Sequence, residues 1–130
     1  MQVNKTVIRS AIRYFGGKWA IAPWVIEHMP DHETYVEPFG GGASILLCKP
    51  PAKLEIYNDL DSEIVGLFRV LQSGDQCRQL MRMLKRTPWS REQYREAFQP
   101  SADTIVRAYI RVIAHAEVIS HCIEEHCPMG

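Results

Sequence analysis

Residues 35–44 read Tyr-Val-Glu-Pro-Phe-Gly-Gly-Gly-Ala-Ser, a short apolar run followed by three consecutive glycines. Glycines in such a place let the backbone approach a ligand where any Cβ would block it. Asp59 follows about 20 residues after Gly40, the spacing at which nucleotide-binding units set a carboxylate against ribose hydroxyls. A carboxylate suits that task because it can accept hydrogen bonds from both hydroxyls. The glycines do not follow the dinucleotide fingerprint. After Gly40 and Gly42 the third glycine position holds Ile45, so a nucleoside-like ligand fits better than a pyrophosphate. A tight turn that only lets a strand and a helix pack would use the same glycines.

The elements that must carry these residues can be read around them. Thr34 to Glu37 is a β-branched and aromatic run with strand character, and Ala43 to Cys48 a short helix. Pro50-Pro51 breaks the chain before Lys53 to Tyr57, which alternates polar and apolar residues as a strand does. Asp59 or Asp61 can cap the next helix, which carries Ile64, Val65, Leu67, Phe68 and Leu71 and ends at Gly74. Strand, glycine turn, helix, strand, acid and helix in that order describe one βαβ unit of a doubly wound α/β fold. Ahead of it, Arg13 to Lys18 is a glycine-bearing loop, and Trp19 to Met29 a helix with Pro23 in its first turn.

Behind the unit the pattern turns helical. Gln76 to Arg86 is one segment. Ser90 to Phe98 is another, opened by a Ser90/Gln93 capping box. Ile105, Val106, Tyr109, Val112, Ile113, Ala116, Ile119 and Ile123 trace the apolar face of a long last helix. The expected division is residues 1–75 as the cofactor-binding βαβ part and 76–130 as a helical segment. With no third strand in view, the sheet is expected to be incomplete within this sequence.

Three segments in this order and spacing carry a resemblance. RYFGGK, YVEPFGGGAS and YNDLD are similar to the N-terminal part of Dam-type DNA adenine-N6 methyltransferases. That family has a K-W-A-G-G-K-like segment, an E-P-F-x-G-x-G-S-like loop and an aspartate after the second strand. The likeness covers residues 11 to 72, about half of the chain. It implies a Rossmann-like S-adenosylmethionine-dependent methyltransferase fold and, in the complete enzyme, site-specific methylation of adenine in duplex DNA.

It also implies roles for individual residues. Tyr14, in the family's tryptophan position, keeps a flat apolar face towards S-adenosylmethionine. Lys18 meets the methionine carboxylate and Asp59 holds the ribose, while Asp61 reads as a helix-cap or surface acid. The loop of Phe39, Gly40, Gly41 and Gly42 passes beneath the methionine portion. Glu37 braces that loop or the cofactor amine. The 76–130 segment would begin the target-recognition region.

One part of the family pattern is missing from these residues. The D-P-P-Y-like tetrapeptide that aligns the target amine and stacks on the flipped adenine has no counterpart here. The expectation is therefore no catalytic residue in this chain and no methyl transfer by it alone. It would be a fragment of the enzyme, a catalytically dead remnant, or one chain of a split enzyme completed by a second polypeptide.

A basic run, Arg78, Arg82, Lys85, Arg86, Arg91 and Arg95, interleaves with Trp89 and Tyr94. Arg82, Lys85, Arg86, Arg91 and Arg95 are candidates for DNA phosphate contacts. An ordinary solvated helix face would look the same. The balance of 15 basic and 15 acidic residues argues mildly against a complete DNA-binding protein. His115, His121, Cys122, His126 and Cys127 match no metal-ligand spacing, and no metal is expected. The irregularly spaced cysteines and the absence of a secretory leader or membrane-length apolar stretch point to a cytoplasmic protein.

Overall fold

The computed structural model describes residues 10–88, 90–96 and 99–116. Trp89, Ile119 and Ile123, the side chain of His115, and the tail residues His121, Cys122, His126 and Cys127 lie outside the described residues. The chain divides into two compact units, Met1–Asp61 and Ser62–Gly130.

The first unit opens with a 3₁₀ turn, Trp19–Ile21, running into helix α1, Ala22–Glu27. The sequence suggests one helix from Trp19 to Met29; the α-helix proper is shorter. Pro23 has no N–H to give and sits in the first turn of α1, where none is required, so the residues before it close as a 3₁₀ turn. At the other end His28 Nδ1 pairs with the Trp24 carbonyl at 2.8 Å and the turn stops.

Strand β1, Thr34–Glu37, helix α2, Ser44–Cys48, and strand β2, Leu54–Tyr57, follow where the sequence suggests. The strands pair in parallel, with Thr34 opposite Leu54 and Glu37 opposite Tyr57. They are the two strands found among the described residues. Ala22 and Ile26 of α1 pack with Ile45 and Cys48 of α2, and Tyr35 joins them from β1. Burial raises the Cys48 thiol above its ordinary range, which makes it an inert packing group. Val36, Leu54 and Ile56 remain exposed.

Lys49 is buried behind β2, an unusual place for a lysine. Its ammonium is ion-paired with Glu55, bonded to the Pro50 carbonyl at 2.9 Å, and set 4.6 Å from the centre of the Tyr35 ring. Burial works to raise the Glu55 carboxyl. The bonds from Lys49 and from the Ala52 N–H outweigh it and hold the group below its usual value.

The second unit is helical: α3, Ser62–Gln72; α4, Gly74–Arg86; α5, Arg91–Glu96; and α6, Thr104–Ala116. Buried Ile64, Leu67 and Val70 of α3, Leu80 of α4, and Ala108, Tyr109 and Ile113 of α6 form its apolar interior. Helix α3 packs on α6 and α4 and belongs to the second compact unit. Helix starts are capped as the side chains allow. Ser90 Oγ accepts the Gln93 N–H, and Asp103 Oδ1 accepts those of Ile105 and Val106. Arg107 forks onto Glu63, and Thr87 joins Tyr109 at 2.8 Å. Among the described residues, no helix is long and apolar enough to cross a membrane.

If the Lys49 ammonium matters mainly as a filler of space, Lys49→Met should be mild and Lys49→Ala severe. Glu55 is a third exposed, so water can take over its charge when the ammonium is gone. Urea unfolding should show a loss of about 2–4 kcal/mol for Lys49→Ala and about 1 kcal/mol for Lys49→Met. Equal losses would show that the charge, not the packing, holds this corner.

Candidate functional site

The site is built on the turn that leaves β1. Pro38 ends the strand, and residues 40–45 are all buried. Gly41 has φ +49° and Ala43 φ +52°, both left-handed. The rings of two tyrosines demand glycine here. A Cβ on Gly40 would lie 2.1 Å from Tyr57 Cε2, and one on Gly41 2.8 Å from Tyr14 Cδ1. The dipeptide is thus gripped between Tyr57 on one residue and Tyr14 on the next.

Gly40, Gly41 and Ala43 each place their N–H on a partner within the unit. The Gly40 N–H donates to the Asn58 carbonyl at 2.9 Å, and the Ala43 N–H to the Gly40 carbonyl at 2.8 Å. The Gly41 N–H donates to Asp59 Oδ2 at 2.8 Å. The other carboxylate oxygen, Oδ1, accepts the Asp61 N–H at 2.9 Å. The Tyr57 hydroxyl donates to the Gly41 carbonyl at 2.7 Å, and the Tyr14 hydroxyl to Asp61 Oδ2 at 3.1 Å. Burial, with Asp59, Tyr14 and Glu37 nearby, pushes the Tyr57 phenol far above its ordinary value, so it stays a donor.

These residues surround a cavity of about 200 Å³. Tyr14 and Lys18 line it from the loop before α1, Glu37 from the end of β1, Phe39 to Gly42 from the turn, and Asp59 from beyond β2. The residues singled out in the sequence for cofactor contact therefore meet around one space. Phe15, fully exposed, and Ser44 join them. A larger and more open depression, about 480 Å³, shares the Tyr14–Phe15 wall and extends to Ile12 and Trp19.

Glu37 is the buried charge of the site. Burial raises its carboxyl above the ordinary value; the Leu46 N–H bond at 3.3 Å and the charges of Lys18 and Lys49 pull the other way without cancelling it. The cavity thus presents two carboxylates and one ammonium. With the N–H groups of residues 40, 41 and 43 already bonded within the protein, the turn is a poor cradle for phosphate, and the two carboxylates suit positive charge.

Sequence reasoning missed Tyr57, Asp61 and Phe15. Asp61 is half-buried and takes the Tyr14 hydroxyl, a tie beyond the surface acid it resembles. The alternation in KLEIY places Tyr57 on the side of Glu55, and that is the one available signal. In the second unit Arg82, Lys85 and Arg86 are exposed on α4, and Arg91 and Arg95 on α5. Arg82 and Lys85 line a shallow depression with Cys77 and Met81.

Known proteins carry the same pattern. The family description "D12 class N6 adenine-specific DNA methyltransferase" matches residues 14–125. The type II methyltransferase M1.LlaDCHI of Lactococcus lactis subsp. cremoris is 32% identical over 99 residues, covering 75% of this chain and 33% of that protein. The DNA adenine methylase of Escherichia coli (strain K12) is 29% identical over 107 residues, covering 78% of this chain and 38% of that protein. The modification methylase StsI of Streptococcus sanguinis is 33% identical over 71 residues, 54% of this chain and 11% of that protein. The chain spans little more than a third, at most, of the length of these relatives. With the family pattern running through most of its length, the chain belongs to the D12 class of N6 adenine-specific DNA methyltransferases.

Proposed function

We propose that this chain supplies the S-adenosylmethionine-holding part of a site-specific DNA adenine-N6 methyltransferase with a Rossmann-like fold. The observation that carries the reading is the glycine turn, whose Gly40 and Gly41 N–H groups are bonded to Asn58 and Asp59 while its walls offer Glu37, Asp59 and Lys18 to one cavity. A sulfonium and an ammonium suit the carboxylates, and a ligand carboxylate suits Lys18. When bound, S-adenosylmethionine supplies the electrophilic methyl group.

The chain's own residues hold and orient. Asp59 has lone pairs left beyond the two N–H bonds it accepts, enough for ribose hydroxyls. Glu37 faces the cofactor amine, Lys18 the carboxylate, and Tyr14 and Phe39 give flat apolar surface. The cavity is smaller than the roughly 300–1,000 Å³ of a whole ligand site, so it encloses only part of the cofactor.

The acceptor side, with its D-P-P-Y-like tetrapeptide, is supplied by residues outside these 130, in the same polypeptide or in a second chain. Arg82, Lys85, Arg86, Arg91 and Arg95 contribute phosphate contacts to duplex DNA without reading its sequence. The reading places the protein in the cytoplasm with its DNA, in a restriction-modification or related methylation system.

Calorimetric titration is the direct test. S-adenosylmethionine should bind weakly and ATP not at all. Asp59→Ala should lose about 1.5–3 kcal/mol of binding, the worth of hydrogen bonds to a charged group, and Asp61→Ala distinctly less. Tighter binding of ATP than of S-adenosylmethionine would sink the reading.

Glu37 allows a second test through pH. Its folded-state carboxyl titrates above the unfolded one, so its contribution to stability is complete below about pH 4 and is lost as pH rises through the raised value. Glu37→Gln should therefore raise the melting temperature at pH 7–8, with the gain vanishing towards pH 4, while weakening cofactor binding. A gain that grows on acidification would show that the group is not strained by burial.

The purified 130 residues should transfer no methyl group to duplex DNA. Alignment of the amine and stabilisation of its developing charge carry most of such a reaction, and both belong to the tetrapeptide. Radiolabel incorporated into adenine with no second protein present would reveal an acceptor site within this chain.

A further inference from the structure

Tyr57 lies at the end of β2, opposite Glu37 in the parallel pair, and reaches the glycine turn in two ways. Its ring occupies the space over Gly40, where a Cβ would sit 2.1 Å from Cε2. Its hydroxyl donates to the Gly41 carbonyl at 2.7 Å. Gly41 has its N–H on Asp59, so Tyr57 and Asp59 together hold both polar groups of that peptide residue. Gly41 sits at φ +49° against the Tyr14 ring, a conformation glycine adopts readily, and that conformation decides where the cavity wall stands. The carbonyl is also kept from turning into the cavity, where it would add acceptor character beside Glu37 and Asp59.

We propose that Tyr57 is a positioning residue for the cofactor, acting by locking Gly41 so that the turn and Asp59 keep the shape the ligand meets. The inference rests on the cofactor reading above. Tyr57 touches the turn and not the cavity itself, so its influence passes through Gly41 and Asp59. Removing the hydroxyl alone frees the Gly41 carbonyl and loosens its partner N–H, while the ring still fills the space over Gly40.

The test uses the full chain and its Tyr57→Phe variant at a temperature where both are fully folded. Calorimetry reads S-adenosylmethionine affinity, and NMR amide exchange reads two reporters: the Gly41 N–H, bonded to Asp59, and the Asn58 N–H, bonded to the Glu37 carbonyl at 2.9 Å. The expected result is a loss of affinity of about 3- to 10-fold, the worth of one hydrogen bond, with faster exchange at Gly41 and unchanged exchange at Asn58. Unchanged affinity would overturn the proposal, and so would equal loosening of both amides, which would make Tyr57 a general stabiliser.

A second pair of variants tests the ring. Gly40→Ala should abolish binding in the parent chain but add little to the loss already caused by Tyr57→Ala, because the clash is with the ring. Additive losses would overturn that half of the proposal. Failure of the parent chain to bind S-adenosylmethionine would sink the cofactor reading instead, and the Gly41 amide would then decide the hold of Tyr57 by itself.

Discussion

The hydrogen bond from the Gly41 N–H to Asp59 is the contact on which the first unit turns. A buried turn without helix or strand ladders must still pair its N–H and C=O groups, or lose on the order of 1–3 kcal/mol for each one left over. Here the pairing comes from the end of β2 and the residues after it: Asn58 takes Gly40, Asp59 takes Gly41, and Tyr57 binds the Gly41 carbonyl. The same bonds bring the carboxylate to the cavity edge. Folding the turn and forming the site are therefore one event, and the acid cannot be moved without unsettling the glycines.

That economy has a cost at Glu37. A carboxylate buried at the end of a strand is penalised by lost hydration, and its raised titration reports the penalty. Lys49, an equally buried charge nearby, is satisfied by Glu55, the Pro50 carbonyl and the Tyr35 ring. The contrast separates two uses of buried charge. Lys49 is surrounded by partners within the fold, whereas Glu37 lines a cavity with the Leu46 N–H at 3.3 Å and the charges of Lys18 and Lys49 as its support. The cofactor role proposed for Glu37 would give that buried carboxylate a partner.

Much of this was legible in the residues. The βαβ order, the strand limits and the turn followed from β-branched runs, glycines and the proline pair, because those signals act locally. The meeting of Tyr14, Lys18, the glycine turn and Asp59 around one space followed from family likeness combined with topology. Tyr57 and Asp61 were not legible, since a tyrosine in an alternating strand does not announce which backbone carbonyl its hydroxyl will reach. The burial of Lys49 was not legible either, since burial of a lysine depends on partners that only the packed structure brings together. The break between 3₁₀ turn and α1 was missed for a different reason. Apolar spacing marks a helical face but does not tell one hydrogen-bond register from another.

The contacts that build the cavity are short in sequence. Gly41 to Asp59 and Tyr57 to Gly41 close loops within one strand–helix–strand unit, and only Tyr14 to Asp61 reaches further. Loop closure costs rise slowly with length, but each closure must be matched by contacts made on arrival. A donor-side site made from one unit and the loop before it can therefore form with little help from the rest of a sheet. The exposed Val36, Leu54 and Ile56 point the other way: parallel strands ordinarily have both faces covered, and these side chains are not. Cofactor capture and methyl acceptance then differ in what they require of the fold. On the proposed reading capture lies in residues 14–59, whereas a pocket for a flipped base needs a second wall from further along the sheet.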